Sequence, residues 1–438
     1  YKRSFVLILK LRPSPRTCVI GAGYGGLASA RYLKQYGVDF TVFEAQRSIG
    51  GNWRFQTDLE DDGLPPFTGV YKQLRTNTPR QTMEFANFSF PDNTPSYPTG
   101  PCFNKYLQNF TKEFDLEKYI QFRTLVTSVR WVENQWEISY TKTDTKENYT
   151  ATCDFVIVSI GHYNSPKIPQ FEGQDGFKGK IIHVQKYKDP EVYKNRRILL
   201  VGAGPSGLDL ATHLTNVSSR LVHSHHLKYN QPHFGSNYVK KPDIKMFTSN
   251  GVVFQDDSFE EIDDVIFCTG YDFDFSFLHE SCGLTVSSKF VLPLYQHMVN
   301  IRRPSMVLLA LPKPIITRAL DAQADYAASL AAGKFELPSQ EDMLKSWLQH
   351  VYGLQASGRK IIDVNFLEGP GVDLYFANLT AEAGIARVPP VLTIIRDFNA
   401  VNRLEDLLNY RDYDYDILDD TNYKRFYNPR KETCDIAV

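Results

Sequence analysis

Several things are scarce in this chain of 438 residues. Excess charge is one: 49 Lys and Arg stand against 50 Asp and Glu, a formal net of −1. That removes the electrostatic case for nucleic acid or an anionic membrane surface as partner. No apolar run reaches the roughly 18 residues of a membrane-spanning helix, so no membrane span is expected, at the C-terminus included. Cys occurs only at 18, 102, 153, 268, 282 and 434, without a C-x-x-C pair, which argues against disulfide-reductase chemistry. Cys18 falls in a buried-strand pattern and reads as a small core residue. The stretch Lys2-Arg3 then Phe5-Val6-Leu7-Ile8-Leu9 is too short for a signal segment as it stands, and a longer leader stays open. Sequons begin at Asn87, Asn109, Asn148, Asn216 and Asn378. They are little more than chance supplies, so cytoplasm and secretion both stay open.

Glycine is present where it matters. Gly21-Ala22-Gly23-Tyr24-Gly25-Gly26 and Gly202-Ala203-Gly204-Pro205-Ser206-Gly207 both read G-x-G-x-x-G. Each follows an apolar strand, Cys18-Val19-Ile20 or Ile198-Leu199-Leu200-Val201, and each opens a helical pattern. In that context the first Gly makes the tight exit and the second lets backbone approach a pyrophosphate. The third lets helix and strand pack closely. Free N–H groups and the dipole at the helix start favour the phosphate charge. Two such turns imply two dinucleotides in one polypeptide.

The residues after each turn separate the two nucleotides. After the first, the strand Phe40-Thr41-Val42-Phe43 ends in Glu44, placed for ribose hydroxyls and hostile to a 2′-phosphate, which suits FAD. Gly50-Gly51-Asn52-Trp53-Arg54 then offers side-chain-free backbone beside an aromatic, for a flavin ring. After the second, Leu221-Val222-His223 leads into Ser224-His225-His226-Leu227-Lys228, with no carboxylate. Hydroxyl, imidazole and ammonium groups suit the 2′-phosphate of NADPH. The same histidines admit a metal, but neighbouring strand residues face opposite ways and no Cys or carboxylate completes a set, so no metal is expected.

The length predicts about two or three domains. The expected fold is α/β with two dinucleotide-binding, Rossmann-like domains, the NADP domain inserted into the FAD domain. The FAD domain takes residues 1–171 and 292–438, the NADP domain 172–291. Strands are expected at Trp136–Tyr140, Phe155–Val158, Asp264–Cys268 and Val307–Leu311. An Ala-rich helix is expected from Leu320 to Ala331, and the Tyr-rich tail from Tyr410 carries little signal. His162–Pro169 reads as a connector.

Between the Gly motifs stands Phe177-Lys178-Gly179-Lys180-Ile181-Ile182-His183-Val184-Gln185-Lys186-Tyr187, which matches the F-x-G-x-x-x-H-x-x-x-Y/F fingerprint of the flavin-containing monooxygenases. Gly50–Trp53 resembles that family's GG-x-W element, Thr76-Asn77 its T-N, and Thr269-Gly270-Tyr271 its T-G-Y. Ser159-Ile160-Gly161 departs from the family's A/C-T-G. Tyr187-Lys188 stands where the related Baeyer–Villiger enzymes carry Trp followed by Pro or Asp. The chain is similar to the shorter, insect-type members, including the pyrrolizidine alkaloid N-oxygenases.

The resemblance implies a mechanism. NADPH reduces FAD, reduced FAD takes up O₂ as a C4a-hydroperoxide, and a tertiary amine or thioether attacks the distal oxygen. It makes Asn77 the expected catalytic residue and places Thr76 and Asn77 at the flavin; from the residues alone, Asn77 reads first as a turn residue ahead of Thr78-Pro79. It assigns the adenine of FAD to the main chain of Val126, which periodicity reads as core, and a nucleotide contact to Gln323, which alone reads as solvent-facing. His183 reads as a hinge or structural residue. The partners expected are a small amine or sulfide and O₂; a homo-oligomer stays open. Baeyer–Villiger oxygenation of ketones and an NADPH oxidase releasing H₂O₂ are the rival activities.

Overall fold

A computed structural model describes residues 16–56, 64, 67–163, 165–313, 316–367 and 369–429. The apolar N-terminal stretch and Cys434 lie outside them. Thr17–Ile20, fully buried, is a central strand of a seven-stranded sheet. Phe40–Phe43 and Phe155–Val158 flank it in parallel, with Cys18 opposite Thr41 on one side and Val156 on the other. The sheet continues through Ile120–Gln121 at one edge, and through Met306–Leu308, Val299–Asn300 and Leu294–Tyr295 at the other. Strands covered on both faces are apolar throughout, which is why they stand out as continuous hydrophobic runs.

Helix α1 (Tyr24–Gln35) joins the first two strands, and α2 (Gly100–Glu113) starts on a Thr99 side-chain cap. Helix α3 (Pro205–Leu214) belongs to a second sheet of five strands, all parallel. Its order is Tyr238–Lys241, Arg220–Ser224, Arg197–Val201, Asp264–Phe267, Lys180–His183. Helix α4 (Arg318–Ala331) returns to the first lobe and lies along α1, where Tyr32 donates to Asp321 (3.1 Å) and Tyr36 to Asp325 (2.5 Å). Helices α5 (Gln340–Ala356), α6 (Pro370–Ala383) and α7 (Pro390–Glu405) come after it.

The five-stranded sheet is therefore strung between residues 180 and 267, while the seven-stranded sheet resumes at 294. The inserted lobe ends earlier than the expected 291. Phe273, Phe275, Leu278, Cys282 and Val291 share a core with Cys18, Val129 and Trp136 of the first lobe. A main-chain bond from His279 N–H to the Val129 carbonyl (3.0 Å) fixes them there. The apolar alternation from 273 onward serves the first core, not the second. The passages between lobes run side by side, Ser165–Pro166 paired antiparallel with Tyr271–Asp272. His183 braces them: Nε2 lies 3.0 Å from the Gly270 carbonyl and the ring meets Tyr271 edge-on.

Cys18 is buried as expected, but it is not a lone core thiol. It forms a disulfide with Cys153, 135 residues away, at the end of the three-stranded antiparallel sheet that precedes Phe155–Val158. Cys102 is also disulfide-bonded, whereas Cys268 and Cys282 are free and buried. A cross-link closing so long a loop contributes about 2–4 kcal/mol, chiefly by restricting the unfolded chain. Peptide mapping without reductant should recover the Cys18 and Cys153 peptides joined. Cys153→Ser should lower Tm by several degrees while cofactor content holds; separate peptides, or an unchanged Tm, would remove the cross-link from the fold's stability.

Candidate nucleotide and active site

The first cradle is built by backbone against backbone. Gly21, at φ +100°, packs under the Ser159 carbonyl; a Cβ there would lie 2.5 Å from that oxygen. A Cβ on Gly26 would sit 1.8 Å from the Gly21 carbonyl oxygen, and one on Gly25 2.6 Å from Ser159 Oγ. The backbone itself therefore demands Gly21 and Gly26, while Gly25 is hemmed only by a serine hydroxyl. Gly23 differs: its Cβ would meet only the main chain of Gly51, no nearer than 3.5 Å. The second cradle repeats the pattern. Gly202 and Gly207 are hemmed by the Cys268 carbonyl (2.7 Å) and the Gly202 carbonyl (2.0 Å), while Gly204 has nothing within 4 Å. In each motif only the middle glycine lacks a reason inside the chain. Backbone that must be approached by something external supplies one.

Both helices start open. Gly23 caps α1 and Gly204 caps α3 without a side-chain hydrogen bond, and neither first turn carries an acidic residue. N–H groups at these ends are available to an anion. Pro205 and Gly204 are on the outer side and Ser206 is half-exposed, so the second cradle faces outward.

Glu44, expected at a ribose, shapes the turn. Its two oxygens accept from the N–H of Ala22 (2.7 Å) and of Gln46 (2.8 Å). Burial raises its pKa, while those bonds and the charge of Arg54 act in the opposite sense. Beside it Gln46 Oε1 accepts from Arg54 (2.9 Å) and Gln56 (2.7 Å). Gln46 Nε2, Gln56 Oε1, Asn104 Oδ1 and Thr76 Oγ1 are buried without a hydrogen-bond partner. A Cβ on Gly50 would lie 2.3 Å from Asn104 Oδ1, and Arg54, next after Trp53, donates to Gln46. These donors and acceptors fit a flavin nucleotide. Gln46, Gln56 and Asn104 escaped sequence reasoning because nothing in their spacing marks them.

The other residues expected around the flavin divide. Gly51 lies against Gly23, and Trp53 stacks on Phe103 with centroids 4.1 Å apart. Asn52 is exposed and accepts from Gly69 N–H (3.3 Å). The Tyr24 ring is a correction: it stacks on Phe85 in the core (4.0 Å), so only its main chain, at the start of α1, belongs to the cradle. Val126 has a core side chain, at the point where its strand shifts register, leaving only its main chain for a ligand. Gln323 is corrected as well. It is fully buried, not solvent-facing, and both its polar atoms are engaged within the chain, with Ala310 N–H (3.0 Å) and Tyr375 Oη (2.8 Å). It ties α4 to the sheet and to α6.

Asn77 is half-buried, and its loop is held from behind. Its carbonyl accepts from Asn399 of α7 (2.8 Å), and the Thr76 carbonyl accepts from Arg411 Nε (3.0 Å). Both grips use main-chain oxygens, so neither engages the Asn77 carboxamide.

At the second cradle the basic cluster is rearranged. His223 is structural: Nε2 lies 3.0 Å from the Gly202 carbonyl and Nδ1 3.1 Å from Tyr238 Oη. Ser224 donates to the Pro242 carbonyl (2.7 Å). His225 is buried with both ring nitrogens unpartnered. Burial first, and the charges of His223 and Lys240 next, lower its pKa to about 3, so it is neutral at pH 7. His226 is 92% exposed beside Asp243 (3.5 Å). Lys228 does not line the recess of about 450 Å³ there; Lys240 and Lys241 do, with His225, His226, Asp243 and Gln255. The lysines arrive because Tyr238–Lys241 pairs with Arg220–Ser224. Among the described residues no three His, Cys, Asp or Glu gather as a metal site, nor is any helix long and apolar enough to cross a membrane.

Comparison with known proteins agrees with this arrangement of two cradles. The family model for flavin-binding monooxygenase-like proteins matches residues 14–227 and 234–360. The chain belongs to that family. Senecionine N-oxygenase of Tyria jacobaeae is 47% identical over 427 residues, covering 96% of this chain and 93% of the relative. Flavin-containing monooxygenase 3 of Oryctolagus cuniculus is 30% identical, with 75% and 76% covered. Among solved structures, S-allyl-L-cysteine S-oxygenase from Allium sativum superposes with a TM-score of 0.83 at 25% identity, over 91% of this chain and 95% of that one. As a flavin monooxygenase the chain is an enzyme whose cofactors are FAD and NADPH.

The two kinds of glycine separate in a test. Gly23→Ala should fold yet lose FAD, read as a colourless protein of unchanged Tm without added flavin, whereas Gly26→Ala should fail to fold. A yellow Gly23→Ala would remove the pyrophosphate from that gap. At the other cradle, Lys240→Ala should raise KM for NADPH by roughly three- to tenfold, the range of one exposed charge-assisted contact. Lys228→Ala should change it by less than about twofold on the same reasoning. The reverse order would return the 2′-phosphate to Lys228.

Proposed function

We propose that this monooxygenase N-oxygenates tertiary amines of the pyrrolizidine alkaloid type, using NADPH and O₂. The observation that carries the reading is the 47% identity to senecionine N-oxygenase over nearly the whole of both chains. Tyr187-Lys188 supports it against ketone oxygenation. Tyr187 is fully buried against Tyr71 and Tyr193, and Lys188 donates to the Thr68 and Val70 carbonyls (2.9 and 3.1 Å). The S-oxygenase likeness makes thioethers a second substrate class.

Bound flavin supplies the oxygen chemistry, after reduction by the nicotinamide cofactor. The chain must hold both nucleotides, shield the reacting centre from water and direct one hydrogen-bonding group at it. In this reading the open starts of α1 and α3 hold the two pyrophosphates. Glu44 takes the ribose of FAD, and Gln46, Gln56 and Asn104 complete its contacts. His225, His226 and Lys240 receive the 2′-phosphate. The first lobe, 16–171 with 273–429, is then the FAD domain, and 172–272 the NADP domain. The Asn77 carboxamide would supply the hydrogen-bonding group at the flavin's reacting edge. The disulfides favour an oxidising compartment, hence secretion over cytoplasm.

With a tertiary amine, N-oxide formed should match NADPH consumed nearly one to one, and a ketone panel should give no ester. Ester without N-oxide would move the chain to Baeyer–Villiger chemistry, and peroxide as sole product would make it an oxidase. Asn77→Ala should keep both nucleotides and raise peroxide per NADPH several-fold; unchanged coupling would take Asn77 out of the mechanism.

A further inference from the structure

The tail from Tyr410, which carried little sequence signal, supplies a cation to the place where the lobes meet. Arg411 is buried. Its Nε donates to the Thr76 carbonyl at 3.0 Å and its Nη2 to the Arg75 carbonyl at 3.3 Å. Its Nη1 donates to Asp209 Oδ1 at 2.5 Å. Asp209 lies on α3, one turn beyond Gly204. One planar guanidinium therefore grips the loop carrying Asn77 with two donors and the helix of the second cradle with a third. A rigid fork suits this, and the point charge of Lys does not.

Asp209 is locked from other sides too. Tyr71, in the first lobe, hydrogen-bonds Asp209 Oδ2, and His213 Nε2 lies 3.7 Å from the same oxygen. Burial acts to raise the Asp209 pKa, yet the Arg411 charge and these neighbours hold it well below the usual carboxylate range. Tyr71 also meets Tyr187, the last residue of the fingerprint, edge-on at 5.3 Å, and Lys72 N–H donates to the Lys188 carbonyl at 2.8 Å. The cluster thus joins the Asn77 loop, the end of the fingerprint, α3 and the tail. A buried pair of this kind adds little net stability against an apolar alternative, but it does fix orientation.

We propose that Arg411 and Asp209 are positioning residues for electron transfer between the nucleotides: their buried pair sets the Thr76–Asn77 loop against α3, and so the flavin against the nicotinamide. The inference rests on the reading that Asn77 borders the flavin. Hydride passes from nicotinamide to flavin over a short, angle-dependent gap, and small misplacements far from the chemistry cost up to about a hundredfold. Asp209 and Arg411 touch no reacting atom in this scheme.

The test uses Asp209→Asn, which keeps shape and removes charge, in two measurements. In cofactor-free protein, amide exchange of the peptide spanning Arg75–Asn77 should quicken at least fivefold while α1 peptides are unchanged. In the flavin-loaded enzyme without oxygen or amine, the limiting rate of flavin bleaching by NADPH should fall at least tenfold, with Kd for NADPH within twofold of the parent. Arg411→Lys should be slowed likewise, because an ammonium cannot span all three acceptors. Tyr71→Phe, which spares the charge pair, should give an intermediate slowing and carries the test if Asp209→Asn does not fold. Parental bleaching in a folded variant overturns the proposal, as does slowed bleaching with unaltered exchange of the loop. Neither measurement needs an organic substrate. An enzyme that fails to oxygenate amines yet shows both effects would sink the proposed substrate class and leave the clamp standing.

Discussion

A backbone carbonyl lying where a side chain would begin governs both lobes. The Gly21 oxygen sits 1.8 Å from the Cβ that Gly26 lacks, and the Gly202 oxygen 2.0 Å from the one that Gly207 lacks. Helix and strand can meet this closely only when the residue between them has no side chain. The close meeting turns each helix so that its first N–H groups point out over the carboxyl end of the sheet. The open helix starts, the need for a bare middle glycine and the crevice in which a nucleotide lies all stem from it.

The same cradle is specialised by what the next strand brings. In the first lobe it brings Glu44, whose two oxygens are drawn to Ala22 and Gln46 N–H and which therefore sits at the rim as an acceptor. In the second it brings His225, left unpartnered, while its partner strand adds Lys240 and Lys241. An acceptor suits ribose hydroxyls and repels phosphate; imidazole and ammonium do the reverse. One turn geometry with opposite rim chemistry gives the two cradles different preferences, which the proposed electron relay needs.

A relay also needs the seats held in relation. Two tethers between the lobes lie side by side, braced by His183 on the Gly270 carbonyl. The C-terminal segment adds a third hold: Asn399 and Arg411 take the carbonyls of Asn77 and Thr76, and Arg411 reaches across to Asp209. The site is thus assembled from residues near 76, 209, 399 and 411, and its rigidity comes from polar contacts buried where the lobes touch.

Much of this was legible in the order of residues. Strands such as Phe155–Val158, the Gly motifs and the acidic or basic residue after each second strand are local patterns. Local geometry is dictated by neighbours in the chain. The misses share the opposite character. Cys18 looked like a core thiol because its partner is 135 residues away. The lobe boundary moved because the apolar residues 273–291 serve a core built mostly from the first 160 positions. The Tyr24 ring and the Gln323 side chain pack in the interior. Lys240 and Arg411 gained their places only through strand pairing and the folding back of the tail. The amino-acid order alone determined that two strand–turn–helix cradles form and which residues follow each, since turn, strand and helix are set within about ten residues. Tertiary structure alone decided which side chains surround those cradles and what holds them in register, since contacts between distant segments leave no periodic trace.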